Sequence, residues 1–263
     1  MSRMRYFACF SMVWALALLP SCVTTTTGGF NVEPSEEQAL ESYIQLAVAY
    51  YDENDIVNAR RHITNALELD DRSADALNVM ALIYQQEGDL GPAEDNFRRA
   101  INSDRNNSRV RNNYAALLFS QERYQDAYEQ LEQVTEDIAY EGRAIAFENL
   151  GRSAIRLNEY SDAEFAFRRA LQMNPDLYVS AVELAMILYE KEDWPGSRQV
   201  FQQYLTTTDF YSIPHTPRAL LAGIQIEGRF QNAELVDSFA LILTTLYQDS
   251  PEYEAYQRIS NAN

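Results

Sequence analysis

The chain has 263 residues, of which 39 are acidic and 21 are basic, so its formal net charge at pH 7 is −18. Such a charge repels phosphate backbones and argues against both nucleic acid and a polybasic membrane-binding patch. Glycine (9) and proline (8) are sparse, which favours helices, and the length suits one large domain or one extended repeat array.

Residues 1–21 have the layout of an export signal. Arg3 and Arg5 precede an apolar run from Phe7 to Leu19. This run is shorter than the roughly 20 residues that span a bilayer. It ends in Leu19-Pro20-Ser21-Cys22, which resembles a bacterial lipobox, and the resemblance implies that Cys22 becomes the first mature residue and is acylated. The alternatives are an ordinary signal peptide with an incidental cysteine and a retained membrane anchor.

Residues 22–36 are predicted to comprise the lipidated cysteine and a flexible tether. The stretch from Val23 to Gly29 is small, polar and unpatterned, and Ser35 is suited to cap a helix that follows it. The two cysteines are Cys9, in the signal, and Cys22. The mature fold is therefore expected to have no disulfide, no thiol nucleophile and no cysteine-based metal site.

Residues 37–263 are predicted to form a repeat array with a tail, because small and large residues recur at steps of 34 or 36. Leu46, Ala47 and Tyr50 of the first unit, for example, return as Met80, Ala81 and Tyr84. This pattern resembles the tetratricopeptide repeat (TPR). Small residues let paired helices approach to roughly 8–10 Å, and large ones fill the gaps. The approximate repeats are 40–73, 74–107, 108–143, 144–177, 178–213 and 214–250.

The predicted fold is therefore all-α, a right-handed α-solenoid of about six TPR helix-turn-helix repeats with a C-terminal capping helix, rather than a generic helical bundle. The second helix of unit six, from Ala233 to Tyr247, is apolar on two stripes, which indicates cover from two sides. We expect the tail, residues 251–263, to form a polar cap over one of these stripes.

Catalytic chemistry is not indicated by the sequence. His62 and His215 have no plausible ligand set nearby and are expected to be surface residues, and the acidic pairs fall at helix ends. No glycine-rich phosphate loop follows a strand. We predict no catalytic residues, no metal site, no cofactor and no small-molecule substrate.

A protein partner is expected to bind the concave face, which the first helix of each repeat lines. Helical spacing within the repeat register gives the inward positions, and apolar residues exposed there favour a groove for an extended strand or an amphipathic helix. Asn78 and Asn112 are expected to hydrogen-bond a partner's backbone. The candidate partner-binding residues are Ile44, Val48, Tyr51, Asn78, Leu82, Asn112 and Phe119.

The lipobox, short spacer, six repeats and tail together resemble the type IV pilus biogenesis and stability lipoproteins, the PilF/PilW pilotins. The segment from Ala219 to Ile224, the Asn174-Pro175 pair and the closing Leu246-Tyr247-Gln248-Asp249-Ser250-Pro251-Glu252-Tyr253 carry the more specific part of the resemblance.

This resemblance implies a protein anchored to the periplasmic face of the Gram-negative outer membrane through the lipid on Cys22, and Val23 agrees with outer-membrane sorting. It implies that the protein binds type IV pilus secretin subunits and promotes their outer-membrane localisation and oligomerisation, with the amino-terminal repeats in contact with secretin. The alternatives are another outer-membrane TPR lipoprotein scaffold, either a β-barrel assembly subunit or a cell-wall hydrolase adaptor, and an enzyme.

Overall fold

The computed structural model describes residues 35–261, and Cys22 and the tether up to residue 34 lie outside the described residues. This part of the chain forms helices joined by short turns. Consecutive helices form antiparallel pairs, so the predicted all-α TPR solenoid is confirmed. The helices are α1 (Glu36–Asp52), α2 (Ile56–Leu69), α3 (Ala74–Glu87), α4 (Leu90–Ser103), α5 (Ser108–Ser120), α6 (Tyr124–Glu136), α7 (Arg143–Leu157), α8 (Tyr160–Met173), α9 (Tyr178–Glu190), α10 (Trp194–Phe210), α11 (Pro217–Arg229), α12 (Ala233–Leu246) and α13 (Pro251–Ser260).

The helices of a pair pack closely because the small residues of the repeat lie between them. Ala47, Ala59 and Ala66 of the first unit are completely buried. A large side chain of the second helix fills the space beside them in each of the first five units and is also buried: Ile63, Phe97, Leu131, Phe167 and Phe201. Because small and large residues alternate, the axes of the two helices lie close together and no voids remain between them.

The turn inside each of the six helix pairs contains one residue in the left-handed conformation, with φ between 54° and 84°. This conformation ends the first helix, and glycine adopts it without a steric penalty. Only the second unit uses glycine. The residues in chain order are Asn54, Gly88, Glu122, Asn158, Glu192 and Gln231.

Ion pairs connect one repeat to the next at several junctions. Glu94 of α4 accepts hydrogen bonds from Arg123 at 2.9 Å and from the hydroxyl of Tyr114 at 2.9 Å. Burial of Glu94 favours a raised pKa, but the hydrogen bonds from Arg123 and Tyr114 lower it overall. Glu164 of α8 pairs with Lys191 after α9 at 2.5 Å. These pairs tie the second helix of one unit to the following unit.

The tail forms the helix α13, but its packing differs from the expectation. It packs against α11 rather than covering a stripe of α12, and Tyr253 and Tyr256 are half-buried against the core there. Leu241 and Leu246 of α12 consequently stay about two-thirds exposed, at 66% and 67%.

The expectation that both histidines lie on the surface is wrong. His215 is half-buried in the loop between α10 and α11, with Nδ1 2.8 Å from the hydroxyl of Tyr204 and its ring edge-on to Phe239. The hydroxyl of Tyr247 donates to the His215 carbonyl at 3.0 Å. The ring of His62 stacks on Tyr50 at a centroid distance of 5.3 Å. Both histidines therefore serve packing.

No helix within residues 35–261 combines the length and the apolar character needed to cross a membrane.

Candidate partner-binding groove

The first helices of units one to three enclose a groove of about 190 Å³, here named the N-terminal groove. Five of the seven residues predicted to bind a partner line it: Ile44, Val48 and Tyr51 from α1, and Asn78 and Leu82 from α3. Helical spacing explains this convergence, because residues three or four positions apart share one face of a helix.

The apolar residues of the N-terminal groove are accessible to a partner. Val48 is 39% exposed, and Ile44, Tyr51 and Leu82 are half-buried. Val79 forms part of the floor and is only 4% exposed. Burial raises the pKa of the Tyr51 hydroxyl, and the neighbouring charge of Asp52 adds to the effect. The Tyr51 hydroxyl therefore stays protonated at neutral pH and can donate a hydrogen bond.

Asn78 is nearly buried, and part of its hydrogen-bonding capacity is already used. Nδ2 of Asn113 donates to Oδ1 of Asn78 at 3.0 Å. At the next junction Nδ2 of Asn149 donates to Oδ1 of Asn112 at 3.3 Å. Both side-chain carbonyl oxygens thus accept a bond from the following repeat. The expected hydrogen bond from Asn78 or Asn112 to a partner's backbone stays a prediction, with the Nδ2 donors as the groups that would make it.

Asn112 and Phe119 do not line the N-terminal groove. Phe119 lines a separate depression of about 230 Å³ together with Asn149 and Arg152. The guanidinium carbon of Arg152 lies 4.9 Å from the centre of the Phe119 ring, and Tyr124 packs edge-on against the same ring. Asn112 lies at the contact between α5 and α7.

The rim of the N-terminal groove carries a charged pair that sequence reasoning missed. Arg109 of α5 and Asp75 of α3 are 3.0 Å apart, and both side chains are substantially exposed. An exposed pair of this kind contributes at most about 1 kcal/mol to stability and is free to exchange partners. The sequence does contain a signal for this pair: Asp75 and Arg109 occupy equivalent positions, 34 residues apart, in the first turns of α3 and α5.

The described residues contain no candidate metal site. Between residues 35 and 261, no group of three histidine, cysteine or acidic side chains could hold a metal ion. What the N-terminal groove offers is a preformed apolar surface with polar groups at its edges, which is suited to binding a protein segment.

Comparison with known proteins agrees with this architecture. Residues 74–107 and 144–177 each match the tetratricopeptide repeat family. The chain is 31% identical to the type IV pilus assembly protein PilF of Pseudomonas aeruginosa over 249 residues, which is 94% of this chain and 97% of that protein.

Solved structures of type IV pilus proteins share this architecture. A structure of Pseudomonas aeruginosa PilF matches with a TM-score of 0.79 and 31% identity, covering 85% of this chain and 98% of that one. A crystal structure of PilW, a widely conserved type IV pilus biogenesis factor, matches with a TM-score of 0.69 over 84% of this chain and 99% of that one. The identity to PilW is 23%, so this second match supports the fold alone.

Proposed function

This chain belongs to the type IV pilus biogenesis family of TPR proteins that includes PilF, and we propose that it serves there as a lipid-anchored pilotin for the secretin. In this role it binds secretin subunits without catalysis and promotes their localisation and oligomerisation in the outer membrane.

The observation that carries the proposal is the N-terminal groove. Ile44, Val48, Tyr51 and Leu82 are apolar or aromatic residues that share one concavity and remain partly accessible. Leaving such residues exposed costs about 25 cal/mol for each Å² of apolar surface that water touches. A partner segment that covers them therefore gains binding free energy, and a preformed groove loses little of it to reorganisation.

The segment best suited to this groove is short and mostly apolar. Its apolar side chains would rest on Val48, Ile44 and Leu82, while Tyr51 donates a hydrogen bond at the edge. The overall charge of −18 disfavours an acidic segment.

The lipid anchor is the second part of the proposal and rests on the sequence. Cys22 closes the apolar run and would carry the acyl chains that hold the protein on the periplasmic face of the outer membrane. Each buried CH₂ contributes about 0.8 kcal/mol, so several chains make such attachment effectively permanent.

Deletion of the gene tests the proposal directly. The deletion strain should contain secretin subunits but lack secretin multimers in its outer membrane and lack surface pili, and expression of the wild-type protein should restore both. Normal secretin multimers in the deletion strain would refute the pilotin role.

A further inference from the structure

A second and larger concavity lies on the C-terminal half of the array, between the first helices of units four to six. This C-terminal groove encloses about 560 Å³. Its floor is apolar, formed by Ile155 of α7 and by Met186 and Ile187 of α9. The pilotin proposal assigns no role to it.

The rim of the C-terminal groove is acidic. Glu183 of α9 accepts hydrogen bonds from Arg218 of α11, from Nη2 at 3.1 Å and from Nε at 3.3 Å. Burial favours a lower pKa for the Arg218 guanidinium, but the hydrogen bond with Glu183 and the nearby charges of Glu252 and Glu190 raise it overall. Glu183 and Glu190 line the groove beside Arg218 and Lys191, and the charge of Glu252 also acts on Arg218. Because Arg218 pairs with Glu183 and Lys191 pairs with Glu164, the carboxylates of Glu190 and Glu252 are left without an ion pair in the described part of the chain.

The remaining cation at the rim is already committed. Lys191 pairs with Glu164 at 2.5 Å. Glu190 forms no ion pair with any residue from 35 to 261. Its side chain is exposed at the C-terminal end of α9. Glu190 is therefore an exposed carboxylate at the edge of an apolar floor, and it makes no ion pair in the described part of the chain.

We propose that the C-terminal groove binds a basic amphipathic segment of a protein partner. Apolar side chains of that segment rest on Ile155, Met186 and Ile187, and its lysine or arginine side chains pair with Glu190 and Glu252. Charge complementarity selects this occupant, because the rim combines surplus carboxylates with an apolar floor. The proposal does not depend on the identity of the partner at the N-terminal groove.

Other occupants fit this groove less well. A carboxyl-terminal or phosphorylated peptide requires free cations, and Arg218 and Lys191 are both paired. A second copy of this chain is disfavoured by the charge of −18 on each molecule.

Two matched synthetic peptides test the proposal. Each has about 15 residues, long enough to form a helix on binding, with leucine on one face and either lysine or glutamate on the other. Fluorescently labelled peptides are titrated with the mature chain, and binding is followed by anisotropy. The lysine peptide should bind and the glutamate peptide should not, and added salt should weaken the binding.

Variants locate the site. Glu190→Gln should weaken binding of the lysine peptide by about 1.5-fold to fivefold, because one exposed charge pair is lost. Glu190→Lys should weaken it further and should gain affinity for the glutamate peptide. The control is Glu68→Gln, which removes the same charge from the exposed face of α2 and should leave the affinity unchanged. Circular dichroism checks that each variant is folded.

A photo-crosslinking leucine analogue in the lysine peptide should label α9. The proposal fails if the wild-type chain binds neither peptide or binds both equally. It also fails if Glu68→Gln weakens binding as much as Glu190→Gln, or if crosslinks fall on α1 and α3 instead of α9. Self-association of the chain that excludes the lysine peptide would replace the proposal with a homotypic interface.

Discussion

Arg198 of α10 holds Glu227 of α11 through two hydrogen bonds, from Nε at 3.2 Å and from Nη2 at 2.9 Å, and the Glu227 side chain is only 1% exposed. Asn232 adds a third hydrogen bond to the same carboxylate at 2.9 Å. This pair, of which the carboxylate is buried, connects the fifth unit to the sixth.

Replacing Arg198 with methionine should lower the free energy of unfolding by about 2–4 kcal/mol, because it leaves the carboxylate of Glu227 buried and without a cation. The double variant Arg198→Met/Glu227→Gln should recover most of the loss, since the neutral amide has no charge to bury. Urea unfolding followed by circular dichroism measures both.

Arg168→Met provides the matched control for that experiment. Arg168 pairs with Glu164 at 2.8 Å, but half of its side chain is exposed and Glu164 keeps Lys191 as a partner. The cost should be below about 1 kcal/mol. Equal costs for Arg168→Met and Arg198→Met would contradict the role assigned to the buried pair.

Glycine at the left-handed turn positions should stabilise the protein. Glu122 and Glu192 are exposed and have φ of 62°, a conformation that disfavours side chains with a Cβ. Glu122→Gly and Glu192→Gly should each raise the free energy of unfolding by about 0.5–1 kcal/mol, after allowance for the greater entropy of glycine in the unfolded chain. Gly88→Ala, at the equivalent turn with φ of 84°, should have the opposite effect. Thermal unfolding measures whether each variant is more or less stable than the wild-type protein. A loss of stability in both glycine variants would refute the argument.

Val48→Asp should disrupt secretin binding while the array stays folded, because it places a charge on the apolar surface of the N-terminal groove. The affinity for purified secretin subunits should fall about tenfold or more, and secretin multimers in cells should decrease. Val57→Asp, on the 81% exposed outer face of α2, introduces the same charge outside the groove and should have no effect. Loss of helicity in Val48→Asp would instead show that Val48 supports the fold.

His215 should make stability depend on pH. Burial lowers the pKa of the imidazole below its ordinary value of 6.5. Above pH 6.5 the ring is neutral in both states and the full stability is present. As the pH falls below 6.5 the unfolded chain takes up a proton first, and stability is lost until the pH has passed the pKa of the folded state.

Comparison with His215→Gln isolates that contribution, because carboxylates elsewhere titrate alike in both proteins. The wild-type chain should lose more stability than the variant between pH 8 and pH 5, as measured by urea unfolding at each pH. Parallel pH profiles of the two proteins would contradict the assignment.

Cys22→Ala should abolish outer-membrane attachment without affecting the fold, because the acyl chains would have no attachment point. The protein should move from the outer-membrane fraction to the soluble periplasmic fraction, and its helicity after purification should match that of the wild-type array. A Cys22→Ala protein that still fractionates with the outer membrane would disprove the lipid anchor.

The sequence predicted the fold because the repeat pattern is local. Residues equivalent to Ala47 and Ile63 recur at steps of 34 or 36, and both are completely buried in the core that units one and two share. The same register predicted that Ile44, Val48 and Leu82 share one face, and all three line the N-terminal groove.

Features that depend on distant packing could not be predicted in this way. Nothing local distinguishes an asparagine whose carbonyl oxygen is engaged by a residue 35 positions away, as in Asn78, from one that is free. The burial of His215 depends on Tyr204 and Phe239, which lie on two different helices. The preference of α13 for α11 likewise reflects the shape of the assembled array.

The hydrogen bonds between asparagine side chains of neighbouring repeats all run from the later repeat to the earlier one. At both junctions the later repeat donates, with Asn113 bonding to Asn78 and Asn149 bonding to Asn112. Nδ2 of Asn78 makes no hydrogen bond to any residue from 35 to 261, and it belongs to the lining of the N-terminal groove. Asn78 therefore has an unused donor, Nδ2, in the lining of the groove, while its side-chain carbonyl oxygen already accepts one hydrogen bond. A partner docked there is expected to present an acceptor, such as a backbone carbonyl, at the level of Asn78.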